Sequence, residues 1–189
     1  MAGNPRKSLH PPRAVALLRG INVGKAKRIA MADLRTLMEG LGCHDVRTLL
    51  NSGNVVFSAA EPLLAERIEA ALLARTGIQA RATVIDAAAF DAIVAGNPLT
   101  DRATDPSRLL VAFLRDRADR ERMEPLTGRD WTPEGLALGE GAAYLWCASG
   151  ILASPLWDAV NRAVKDGVTS RNWATVLKLQ AMLKDWTPV

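Results

Sequence analysis

The sequence predicts an α+β protein in which a ferredoxin-like βαββαβ first half packs with a second, related α+β half. Three observations carry this expectation. Short apolar runs alternate with segments of helical period, two glycine-bearing turns of hairpin type stand at Asn51-Ser52-Gly53-Asn54 and Gly139-Glu140-Gly141, and the order strand, helix, strand, strand, helix occurs in both halves.

The first half follows element by element. Arg13 to Arg19 is rich in Val, Ala and Leu and stops at Gly20, as a buried strand entering a turn does. Met31, Leu34, Met38 and Leu41 then recur at helical spacing, and Gly42 stands where a left-handed stop is needed. Val46 to Leu50 and Val55 to Ser58 flank a tight-turn composition in which Gly53 supplies positive φ, so they form a hairpin. Pro62 suits a first helical position, and Leu64, Ile68, Ala71, Leu72 and Arg75 continue a stripe up to Gly77. Gln79 to Ile85 closes the unit as a strand.

A helix over Ala87 to Val94 and a loop through Gly96-Asn97-Pro98 and Asp105-Pro106-Ser107 connect to the second half. There Arg108 to Arg115 reads as a strand, Asp119 to Leu126 as a helix, and Leu136 to Leu138 with Ala142 to Cys147 as a hairpin. Pro155 to Val164 reads as a helix. This is βαββα without a last strand, followed by a final helix from Arg171 to Lys184 with Trp173, Val176, Leu177 and Leu183 on one side. The partition is a basic tail over 1–12, a ferredoxin-like subdomain over 13–86, a connection over 87–107 and a second α+β subdomain over 108–189. All five tryptophans fall after residue 130, which predicts differently built cores.

With 189 residues, 49% of them hydrophobic, the chain can bury a sizeable core, and disordered and fibrous classes are excluded. No apolar run approaches the ~20 residues of a spanning helix, and residues 1–12 lack a signal-peptide centre, so a cytoplasmic protein without membrane partners is expected. Cys43 and Cys147 lie in no CxxC pair and near no histidine at ligand spacing, so no metal site is expected. The net charge of +4 tolerates an anionic partner, although the arginines are spread along the chain. Cofactor and oligomeric state are not legible.

In a βαββαβ unit the first crossover makes strands one and two parallel, so the end of strand one and the hairpin after strand two share one edge. That edge gathers Arg19, Asn22, Lys25, Asn51, Ser52 and Asn54, nearly all donors, beside a helix N-terminus. A small anionic ligand or nucleotide is the sharp reading. In the plain reading the glycines make turns and the asparagines satisfy backbone groups, and this reading is preferred for Asn51 and Ser52 taken singly. A magnesium-dependent phosphate loop is excluded, because only three residues separate Gly20 from Gly24 and Ala26 stands where a hydroxyl must be.

Thr169-Ser170-Arg171-Asn172-Trp173 reads as a helix start capped by Thr169 or Ser170. Arg171 in a first turn opposes the helix dipole, so it is expected to reach an internal carboxylate such as Asp166, or an external anion. If Arg171 and Asn172 approach the edge, they join the candidate binding set.

Catalysis finds less support than binding. His10 lies in the tail and His44 at the opposite edge, no carboxylate pair joins the cluster, and a Ser52 nucleophile activated by Lys25 lacks an orienting third residue. The central strands carry one aromatic, Phe57, which argues against base stacking and leaves only backbone-led nucleic-acid binding. A structural or interaction module without a ligand is the alternative.

Three landmarks occur in order: Leu17-Leu18-Arg19-Gly20-Ile21-Asn22-Val23-Gly24, Ser52-Gly53-Asn54-Val55-Val56-Phe57 and Thr169-Ser170-Arg171-Asn172-Trp173. In these the chain resembles a bacterial family filed as domain of unknown function 1697. Its usual pattern has a second glycine after Gly24, where this chain has Lys25. The resemblance implies a two-part α+β architecture and no assigned activity.

Overall fold

The computed structural model describes residues 11–22, 28–165 and 167–185. Among the described residues, eight strands form two four-stranded antiparallel sheets, and six α-helices pack on them. β1 (Arg13–Arg19), α1 (Met31–Gly40), β2 (Cys43–Leu49), β3 (Asn54–Ala59), α2 (Ala65–Thr76) and β4 (Arg81–Asp86) make the first half, with sheet order β2-β3-β1-β4. After α3 (Ala87–Ala95), the second half runs through β5 (Leu109–Leu114), α4 (Arg117–Thr127), β6 (Gly135–Leu138), β7 (Ala142–Trp146), α5 (Pro155–Val164) and β8 (Val168–Asn172). Its order, β6-β7-β5-β8, repeats the first, and α6 (Trp173–Lys184) follows.

The last strand expected to be missing is therefore present. Its sequence, Val-Thr-Ser-Arg-Asn, has no alternating apolar face because it is a sheet-edge strand held by its main-chain ladder to β5, from Leu110 opposite Asn172 to Leu114 opposite Val168. The final helix accordingly starts at Trp173, and its cap is Asn172, whose Oδ1 accepts from Thr175 N at 3.0 Å, rather than Thr169 or Ser170. Two further expectations are corrected. Pro62 precedes α2 by three residues, and Leu64, at the N-cap, is exposed; on α6 Leu177 faces outward while Leu179 is buried.

Both central strands are continuous apolar runs because each is covered on both faces. Ala16 and Leu18 of β1 pack under α1 and α2 with Leu34, Met38, Ile68 and Leu72. On the opposite face, Val15 and Leu17 meet Phe90 of α3, Val176 and Leu179 of α6, and Leu109, Val111 and Phe113 of β5. Leu110 and Ala112 then point to the far side, against Met123 of α4 and Leu156 and Val160 of α5. The layers are α1/α2, first sheet, α3/α6, second sheet, α4/α5.

The middle core belongs to both halves, so the tryptophans do not divide two separate interiors. Trp146 and Trp173 enter the shared layer, while Trp131 and Trp157 pack on the outer core; Trp186 lies outside the described residues. Phe90 and Phe113 stack across the halves at 5.7 Å between ring centres. Tyr144, fully enclosed, donates to Ile93 O of α3 at 2.7 Å.

Candidate functional site

The end of β1 and the β2–β3 turn do meet at one edge. Pairing of Leu17 with Asn54 sets the register, and Leu18 N donates to Gly53 O at 2.8 Å. Gly53 takes φ +75 and lies so close to β1 that a Cβ there would stand 2.6 Å from Leu18 Cβ. Only glycine satisfies both demands. The turn thus presents its carbonyls and Asn54 toward the second half.

β8 brings Arg171 to this edge. β4 and β8 lie together where the sheets meet, with Thr83 Oγ1 3.3 Å from Thr169 Oγ1. From β8, Arg171 reaches into the first half. Its Nε donates to Asn54 Oδ1, its Nη2 donates to Leu18 O at 2.7 Å and Ser52 O at 2.8 Å, and its Nη1 donates to Ser170 O at 2.7 Å. The acceptors are neutral. Instead of the expected carboxylate, a cage of carbonyl dipoles holds the charge, and loss of water pulls this guanidinium down to about 10, well below its usual range. It remains a cation at neutral pH.

Asn54 is the counterpart, fully buried in the first half. Its Nδ2 donates to Leu49 O at 3.0 Å and Ser52 Oγ at 2.9 Å, which turns Oδ1 toward Arg171. Each polar atom of the amide is therefore engaged. Asn22, at φ +54, ties the edge together locally: Nδ2 donates to Asn51 O at 2.7 Å and Ile29 O at 3.2 Å, and Oδ1 accepts from Ile29 N at 2.9 Å.

The remaining predicted residues divide. Arg19 crosses to the second half, donating through Nη1 to Lys165 O and Val168 O, both at 2.8 Å, where the C-terminal end of α5 favours a cation. Asn51 is exposed and contributes its carbonyl, Ser52 contributes its carbonyl and hydroxyl, and Asn172 serves as the α6 cap. Lys25 lies outside the described residues, as does Asp166. Sequence reasoning missed Arg13, whose Nη1 donates to Leu183 O at the end of α6. A basic residue opening a strand gave no signal that it would cross to a helix end 170 residues away.

The edge thus acts chemically as a set of neutral acceptors closed over two arginines. Among the described residues, no group of three or more His, Cys, Asp or Glu is arranged to hold a metal ion. Cys43 and Cys147 are buried free thiols, both pushed up by desolvation, Cys43 to about 11. No helix among the described residues is long and apolar enough to cross a membrane.

Comparisons with known proteins agree with this architecture. The conserved bacterial protein SP0830 from Streptococcus pneumoniae superposes with a TM-score of 0.72 at 24% sequence identity, covering 91% of this chain and 98% of that one, a likeness that speaks for the fold. No curated protein matches. The family model described as "Protein of unknown function (DUF1697)" matches residues 12–144, more than half of the sequence, and the chain belongs to that family.

Proposed function

We propose that the protein is a two-lobed structural or interaction module in which the polar turns act as a clasp rather than as a ligand pocket. One observation carries this reading: Arg171 spends its donors on Asn54, Leu18 O, Ser52 O and Ser170 O, leaving little of the guanidinium for a ligand. Arg19 supports it by making the reciprocal crossing from β1 to the α5 end. A cytoplasmic setting is in keeping with two buried, unpaired thiols.

A second reading keeps a small anionic ligand or nucleotide at this edge, contacting Arg19, Asn22, Lys25, Asn51, Ser52, Asn54, Arg171 and Asn172. It is favoured by the acceptors around Arg171 being an amide and main-chain carbonyls, with no carboxylate bonded to it among the described residues, which leaves its charge without a counter-ion.

Melting of Arg171→Met, Asn54→Ala and the double variant, with and without phosphate, nucleotides and short oligonucleotides, separates the two. The clasp predicts a loss of about 3 kcal/mol for Arg171→Met, strong coupling in the cycle and no ligand-induced shift. A saturable ligand shift in the wild type that disappears in Arg171→Met, with little change in unliganded stability, sinks the clasp in favour of the anion site.

A further inference from the structure

Away from the clasp, a cleft of about 840 Å³ opens between the halves, within the size range of small-molecule sites. The start of β1, the middle of β4 and the first turn of α2 line one wall, and the β5–α4 junction lines the other. Ala14, Val84 and Leu64 supply an apolar strip; Leu64 is 60% exposed although its neighbour Leu63 is buried.

Arg81 and Arg115 supply charge from opposite halves. Both approach the same carboxylate, Glu69, at 3.3 and 3.4 Å, and Arg115 also reaches Glu66 at 3.5 Å. These are long contacts, and Glu66 and Arg81 are mostly exposed, so the Arg115–Glu66 and Arg81–Glu69 pairs hold weakly, whereas Glu69 is more enclosed and also accepts from Ala82 N at 2.9 Å. Of the other carboxylates on the walls, Asp86 caps α3, Asp116 caps α4 and Asp119 pairs with Arg122 at 2.9 Å, while Glu61 is exposed to solvent. Among the described residues, Arg115 is engaged through Nη2 and Arg81 through Nη1, so the rest of each planar fork can face a carboxylate. The first turn of α2, whose N-cap Leu64 has no side-chain cap, adds main-chain donors on the same side.

We propose that this cleft binds a small organic acid with an apolar body, its carboxylate gripped by Arg115 and Arg81 and its body laid along Leu64, Val84 and Ala14. The ligand carboxylate replaces Glu66 on Arg115, exchanging a loose pair for a bidentate one that spans the halves. The site is separate from the Arg171 clasp.

Octanoate is the probe, titrated calorimetrically into the full chain alongside octanol and inorganic phosphate, with Arg115→Gln and Leu64→Ser as variants. The expected result is saturable binding of one octanoate per chain, weakened about tenfold or more by Arg115→Gln. Octanol and phosphate each lack half of the recognised chemistry and bind more weakly. Leu64→Ser, on a mostly exposed side chain with little packing to lose, weakens octanoate several-fold and decides the matter if Arg115→Gln does not fold. Lack of saturable octanoate binding, or binding equal in wild type and Leu64→Ser, overturns the proposal. Phosphate binding as tightly as octanoate overturns it as well. Because Arg171 lines no wall of the cleft, octanoate binding by Arg171→Met, measured where that variant is folded, tests this site separately from the clasp.

Discussion

Replacing Gly53 by alanine strikes the point on which the edge geometry depends. Two costs add. The residue sits at φ +75, where an L side chain is strained by ~1–2 kcal/mol. The new Cβ would stand 2.6 Å from Leu18 Cβ and 2.8 Å from Ile21 Cδ1, so the turn must lift from β1, an overpacking cost of ~1–3 kcal/mol. Gly53→Ala should therefore lose ~2–5 kcal/mol. Gly42 is the internal control: its φ is +88, but nothing lies within 4 Å of its would-be Cβ, so Gly42→Ala pays the strain alone. Urea denaturation of both variants gives the difference, read from midpoints at unchanged m. The reasoning is refuted if Gly53→Ala costs no more than Gly42→Ala, because the close approach of turn and strand would then contribute nothing. A lifted turn would also carry Ser52 O and Asn54 away from Arg171, so loss of the Arg171–Asn54 coupling should accompany the loss of stability.

Two other predictions concern neighbouring features. Asn22→Ala removes three hydrogen bonds, one to the hairpin at Asn51 O and two within the first loop at Ile29, and should cost ~2 kcal/mol by chemical denaturation, with Asn22→Gly losing less because it relieves the positive φ; equal losses would argue against a backbone contribution. Burial, partly offset by Arg67, raises Cys43 from 9.0 to about 11, so its stabilising effect is complete below pH 9 and is lost as pH rises from about 9 to 11. This amounts to roughly 2–3 kcal/mol, and Cys43→Ala should lose that part of the alkaline slope while keeping the smaller part that Cys147, raised in the same direction, contributes. Arg171 works in the opposite sense, but its relief begins only above about pH 10, so an alkaline melting series between pH 9 and 10 that shows no slope contradicts the Cys43 assignment.

Much of the fold was legible because its signals are local. Gly42 and Gly53 take the positive φ that their turn positions demanded, and α5 runs from Pro155 to Val164 as its pattern reads. β8 was illegible because its five residues carry no apolar alternation; they are strand only because β5 offers an unpaired edge. The same holds for Arg171. As a first-turn helix residue it would need an anion, whereas on a strand between two sheets it meets carbonyls instead.

By itself the sequence determined the two hairpins, the order of elements as far as α5 and the meeting of the first loop with the Asn51–Asn54 turn, since strand period, turn chemistry and crossover handedness are short-range properties. Tertiary structure alone decided where each donor is spent. Whether an arginine serves a ligand, a carboxylate or a helix end depends on which acceptors lie within about 3 Å. In this protein those acceptors come from the other half of the chain, up to 170 residues away for Arg13 and 153 for Arg171, a distance over which no local pattern carries information.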